Sequence, residues 1–220
     1  DARAALNPVL TIGKQLEEAI FAHNIMSKEK GRTYSLEILS ELGLSNPKEV
    51  LESYPFNLSG GMCQRVMLAI SLVNKPKLLI ADEATSALDV TLQADVLDRL
   101  KTLCRNFGTA ILFISHDFGV VANMAHHVGV LYSGTLVESA PVVDLFSKPT
   151  HPYTSAMIEA LPRLDDPDKK LTSLPPRRLL SGMACAETNR LDAFAGSRRR
   201  LYAGLGLLAL STGFIILAWL

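Results

Sequence analysis

Two rhythms of apolar and polar residues run along this chain. From residue 13 to about 57, apolar positions recur at helical spacing. Leu16, Ala19, Ile20 and Phe21 mark one helix over 13–23, and Leu36, Ile38, Leu39 and Leu42 mark another over 33–42, with Gly43 as its stop. Ser59 is placed to cap a helix that runs through 62–73. The rhythm then changes. After Lys77, residues 78–81 form a short, unbroken apolar run, the pattern of a strand covered on both faces. A long amphipathic helix over 90–107 ends at Gly108, and 109–114 reads as a second buried strand. A helix over 118–125 leads to a hairpin, 128–132 and 135–137, about a Ser133–Gly134 turn; a last helix covers 155–160. Strands alternating with helices predict an α/β fold with a parallel sheet, and residues 13–74 form a helical subdomain carried on it.

At 220 residues and 48% hydrophobic, the chain can bury an ordinary core of one domain with appendages. Its net charge is zero but unevenly spread. From Leu171 onward six arginines stand against Glu187 and Asp192, leaving that part at +4 and the remainder at −4. An acidic front argues against a nucleic-acid-binding core. Cys63, Cys104 and Cys185 form no C-x-x-C pair, so inert thiols in a reducing compartment are expected rather than a zinc or iron–sulfur site. After Arg198–Arg200 come twenty uncharged residues, 201–220. As a helix they would be about 30 Å long, the thickness of a bilayer core. They predict an apolar, membrane-spanning C-terminal helix with its arginines on the cytoplasmic side, or failing that a buried or amphipathic helix.

The chemistry gathers at three places. The apolar run before Asp82 and Glu83 delivers two carboxylates to the carboxyl end of a strand, where open α/β sheets place ligands. An aspartate there can hold Mg²⁺ against phosphate oxygens, and the adjacent glutamate can polarise an attacking water. In Leu58-Ser-Gly-Gly-Met-Cys-Gln-Arg65, two glycines open a helix whose first amides and dipole favour an anion. Ser59 adds a hydroxyl, although it also suffices as a plain cap. Ile114-Ser-His-Asp117 puts a histidine at the end of the next strand.

Together these stretches, with Ser86-Ala-Leu-Asp89, resemble the signature, Walker B, H-loop and D-loop motifs of ATP-binding cassette (ABC) ATPases. The resemblance implies ATP and Mg²⁺ as cofactors, with Asp82 as the metal carboxylate, Glu83 as the catalytic base and His116 as the catalytic contact to the γ-phosphate. It implies too that Ser59, Gly60, Gly61, Met62 and Asp89 serve ATP held by a second ATPase subunit. Met62 stands where glutamine is usual, a variant that resembles the peptide and nickel importer branch. Ala5-Leu-Asn-Pro8 and Lys148-Pro-Thr-His-Pro-Tyr-Thr154 resemble segments of that branch as well.

The resemblance covers roughly residues 1–175. It divides the chain into a post-Q-loop segment (1–12), the helical subdomain (13–74), an α/β core (75–147), a family-specific extension (148–176), a basic linker (177–200) and the apolar tail (201–220). No G-x-x-x-x-G-K-[ST] loop occurs, since Gly13-Lys14 has Pro8 upstream and Gln15 after it. The expectation is therefore a partial ABC-type core cut from a longer protein, the P-loop and the Q-loop glutamine lying before Asp1. Alone it should neither grip ATP tightly nor turn it over. The implied role is to energise uptake of peptides or nickel, with membrane permease subunits as partners, no nucleic acid, and a place at the cytoplasmic face of the bacterial inner membrane. The alternatives are a catalytically silent, membrane-anchored half-cassette and a non-transport ABC ATPase.

Overall fold

The structure, a computed structural model, describes residues 2–22, 27–85, 88–132, 134–161 and 214–219. The chain divides into two compact units, Asp1–Leu112 and Phe113–Leu220, with the division inside one strand.

The first unit is mostly helical. Helix α1 spans Ala2–Ala5, α2 Ile12–Phe21, α3 Lys28–Glu41 and α4 Pro47–Glu52; a 3-10 turn at Pro55–Asn57 precedes α5, Gly60–Leu72. Of the residues whose spacing announced α2, Leu16 and Ile20 are essentially inaccessible to water, and Ile12, one turn before them, joins them on that face. Ile38, Leu39 and Leu42 of α3 and Val66, Ala69 and Leu72 of α5 are buried likewise. Each large side chain buried in this way stabilises the unit by about 1.5–3 kcal/mol. Thr11 caps α2, its Oγ1 accepting from Lys14 N at 3.4 Å. Helix α3 starts at Lys28, five residues before the apolar rhythm does, because its first turns are polar helix formers that carry no periodic signal. Helix α4 is a separate short helix, begun by Pro47 in its first turn.

Strand β1, Leu78–Asp82, starts beside β2, Ala110–Ser115, where Ala110 N donates to Lys77 O at 2.9 Å. Between them runs α6, Val90–Phe107, closed by Gly108 at φ 65°, a left-handed cap that only glycine adopts without strain. β2 is buried along Ile111–Ser115, as the unbroken run predicts. β1 differs from expectation. Leu79 and Ala81 are buried, but Leu78 and Ile80 are 43% and 52% exposed, so only one of its faces is covered within the unit.

In the second unit, α7 (Phe118–Met124) leads to the expected hairpin, β3 (His127–Tyr132) and β4 (Thr135–Pro141), paired antiparallel from Tyr132↔Thr135 to His127↔Pro141. Helices α8 (Val142–Ser147) and α9 (Pro152–Glu159) follow. Helix α9 starts earlier than its apolar residues suggest, because His151 Nδ1 accepts from Tyr153 N at 3.1 Å and Pro152 occupies the first turn.

The predicted C-terminal helix is corrected here over residues 214–219 alone. Phe214–Trp219 form a strand, β5, paired antiparallel with β3 from Tyr132↔Phe214 to His127↔Trp219. A short run rich in Ile and aromatic residues satisfies a strand as well as a helix, and pairing with β3 decides between them. Residues 201–213 and Leu220 lie outside the described residues, as does the basic linker 177–200. Among the described residues no helix is long and apolar enough to cross a membrane. The sheet of this unit is antiparallel where β3 lies between β4 and β5, so the fold is mixed α/β rather than wholly parallel.

The Thr-His-Pro-Tyr stretch has a structural task. Glu138 of β4 is buried, and its carboxylate accepts from Thr150 N (2.7 Å), Thr150 Oγ1 (2.8 Å) and His151 N (3.1 Å). The carboxylate thereby satisfies amides at the entry to α9, which suits the helix dipole. Tyr153 packs on Tyr132 with ring centroids 4.3 Å apart.

Candidate functional site

A cleft of about 860 Å³ opens in the first unit, and its walls come from two elements that the sequence marks. Helix α5 contributes Gly60, Gln64, Met67, Leu68 and Ser71, one face of the helix at i, i+4, i+7, i+8 and i+11. Strand β1 and the residues after it contribute Leu79–Ala84, among them Asp82 and Glu83; Arg3 of α1 closes another side.

Asp82 ends β1 and is exposed. Glu83 follows at φ 49°, in the left-handed region that a glutamate enters at a cost of about 1–3 kcal/mol. Residues held in such conformations cluster at functional sites, and this one is a carboxylate on the wall of a cleft. Asp82 and Glu83 offer hard oxygen donors. Among the described residues no group of three or more His, Cys, Asp or Glu side chains stands together to cage a metal. Two carboxylates with open space beside them suit Mg²⁺, which keeps several waters and shares phosphate oxygens.

The helix start is built as the sequence suggests. Ser59 is in an extended conformation and its Oγ accepts from Met62 N at 3.3 Å, so it caps α5. A Cβ added at Gly60 would meet nothing within 4 Å, whereas one at Gly61 would stand 2.7 Å from Leu88 Cδ2. The two glycines are needed for different reasons. Gly60 leaves an open approach to backbone amides, and Gly61 lets the helix start lie against Leu88. Asp89 caps α6, its Oδ1 accepting from Leu92 N at 2.9 Å.

Of the residues singled out from sequence, the cleft thus unites Gly60, Asp82 and Glu83. Ser59, Gly61 and Met62 form the adjoining helix start, and Asp89 starts the next helix. His116 belongs to the second unit, exposed just after β2, and the neighbouring Asp117 caps α7 through Gly119 N at 2.8 Å. Ser86 and Ala87, between the carboxylates and Asp89, lie outside the described residues.

Two cleft residues were not singled out from the sequence as site residues. Gln64 is 8% exposed, and its Oε1 has no hydrogen-bond partner among the described residues. A buried acceptor left unsatisfied costs about 1–3 kcal/mol. Arg3 donates from Nη2 to Leu58 O at 3.2 Å, joining α1 to the chain entering α5. The sequence signal for Gln64 was its place on the Gly60–Ser71 stripe, a polar residue on a face otherwise apolar or small. Burial raises the thiol pKa of Cys63, with Arg3 opposing, and pushes that of Cys104 up to about 11, so both are inert as expected. Cys185 is outside the described residues.

Known proteins resemble this chain along most of its length. The family description "ABC transporter" matches residues 3–86, and "Oligopeptide/dipeptide transporter, C-terminal region" matches 137–183. The chain is 49% identical over 170 residues to the oligopeptide transport ATP-binding protein AppD of Bacillus subtilis (strain 168), covering 77% of this chain and 52% of that protein. It is 44% identical over 174 residues to the dipeptide transport ATP-binding protein DppD of the same organism, covering 79% and 52%. The dipeptide transport ATP-binding protein DppD of Escherichia coli (strain K12) is 42% identical over 175 residues, with 80% and 54% covered. The chain spans about half the length of these curated relatives. Among solved structures, the dimeric post-hydrolysis state of the ATP-binding cassette MJ0796 bound to ADP and Pi superposes with a TM-score of 0.57 at 30% identity, over 64% of this chain and 60% of that one.

Proposed function

We propose that this chain, which belongs to the ABC transporter family of ATP-binding subunits, supplies the signature and Walker B parts of an ATPase that energises peptide uptake. The observation that carries the reading is the cleft in which Gly60 opens a helix opposite Asp82 and the strained Glu83. The matched oligopeptide and dipeptide relatives favour peptides over the nickel that the signature variant alone left open.

In this account Glu83 accepts a hydrogen bond from the attacking water and draws off its proton as the γ-phosphate is cleaved. Asp82 is the carboxylate for Mg²⁺, which when bound neutralises phosphate charge. His116 holds a γ-phosphate oxygen and helps to align the water. Ser59 offers its hydroxyl, and Gly60, Gly61 and Met62 their amides at the helix start, to ATP presented by a second ATPase subunit; Asp89 lies at the same junction. The dimeric state of the MJ0796 cassette supports a two-subunit site. Residues 13–74 are the helical subdomain, and their 13–57 part meets permease subunits; the whole works peripherally at the cytoplasmic membrane face. A non-transport ABC ATPase is disfavoured by the match of residues 137–183 to a transporter-specific region.

Residues 1–220 contain no P-loop motif, so the triphosphate grip has to come from elsewhere in the assembled protein. Titrating nucleotide with Mg²⁺ into residues 1–220 alone tests this assignment. Dissociation constants no tighter than tens of micromolar are expected, and submicromolar binding would contradict it.

A further inference from the structure

The start of α5 is gripped from two sides. On one, Gly61 lies so close to Leu88 that a Cβ on it would clash at 2.7 Å. On the other, the half-buried guanidinium of Arg65 spans the gap to the end of α3. Its Nε donates to Gly61 O at 3.2 Å and its Nη1 to Gly43 O at 2.7 Å. Gly43 belongs to the turn that closes α3, and Arg99 of α6 holds the same turn from a third direction. Arg99 donates from Nη1 to Glu41 O at 3.3 Å and pairs through Nε with Asp95 Oδ2 at 2.8 Å. Two arginines therefore tie the α3 turn, one to α5 and the other to α6. Arg65 holds the corner at which residues 59–61 stand.

We propose that Arg65 is a positioning residue that fixes residues 59–61 relative to the α3 turn and so sets where they meet nucleotide. The inference rests on the reading that residues 59–61 face nucleotide. The requirement is for arginine and not merely for positive charge. A planar guanidinium reaches two carbonyls at a set angle, whereas a lysine ammonium is a point charge on a flexible stem and satisfies one of them. The two acceptors are backbone carbonyls, so no side-chain substitution elsewhere replaces the link. A shift of about 1 Å in a positioned group is enough to cost on the order of a hundredfold in rate.

The test uses the complete ATPase assembled with its partner subunits, comparing wild type with Arg65→Lys. Thermal unfolding checks that the variant folds. Amide hydrogen exchange over residues 60–64 without nucleotide reads the positioning directly, and kcat and KM for ATP read its consequence. Exchange about tenfold faster, kcat lowered about tenfold or more and KM changed less than about threefold are expected. Unchanged exchange overturns the proposal, and so does faster exchange with kcat retained. If wild type neither binds nor hydrolyses ATP, the nucleotide reading of residues 59–61 fails, and the exchange result still decides whether Arg65 sets their place.

Discussion

Glu83 and the two glycines at the start of α5 show how much a single residue carries. Gly60 and Gly61 are adjacent and chemically identical, yet their surroundings differ: open space at one, Leu88 at the other. Gly60→Ala should leave the denaturation midpoint nearly unchanged and still depress ATP hydrolysis by the assembled protein, because only a ligand needs that space. Gly61→Ala should change stability by less than about 1 kcal/mol, because the atom its Cβ would meet is the free end of the Leu88 side chain and alanine is the better helix former, and Leu88→Ala should remove what steric cost there is. Denaturant titration of the single and double variants reads both. These residues were legible in the sequence because their chemistry is local: a cap, a helix start and a strand-end carboxylate pair need no distant partner. Gln64 and Arg65 sit in the same octapeptide but were not legible as site residues. Their roles depend on what α5 packs against, Gln64 facing the cleft and Arg65 reaching a turn 22 residues away. The left-handed backbone of Glu83 has no sequence signature.

At the scale of elements, the apolar rhythm placed the helices and missed what neighbours decide. An unbroken apolar run suggested that β1 was covered on both faces, yet Leu78 and Ile80 are exposed, since hydropathy reports what can be buried and not what lies alongside. Phe214–Trp219 read as the end of an apolar helix and instead pairs with β3, because strand or helix in so short a run is set by tertiary context. The Thr-His-Pro-Tyr segment carried only a family resemblance in the sequence, whereas in the structure it is latched by Glu138 from another element. Removing that carboxylate with Glu138→Ala should destabilise the second unit by about 2–3 kcal/mol, since the entry to α9 loses a charged acceptor. Amide exchange across α9 should quicken in the variant while α5 is unaffected.

Two buried groups make stability pH-dependent across the molecule. Burial raises Cys104 from 9.0 to about 11, and burial together with nearby Tyr132 raises Tyr153 from 10.0 to about 12. Both are neutral acids whose pKa rises on folding, so their contribution is fully present below about pH 9. It is lost as pH climbs toward 11 and 12, because the unfolded chain ionises first. The melting temperature should therefore fall between pH 9 and 11, and Cys104→Ala should flatten that slope; a slope identical in the variant would exclude the thiol as a cause.

At the scale of the whole molecule, we propose Glu83 as the base of an ATPase to which this chain gives its signature and Walker B parts. The most direct measurement is phosphate release from MgATP by the assembled protein carrying Glu83→Gln, set beside nucleotide binding by the same preparation. The account predicts ATP binding close to wild type and hydrolysis lowered by about a hundredfold or more. Hydrolysis at the wild-type rate with glutamine at position 83 would contradict it.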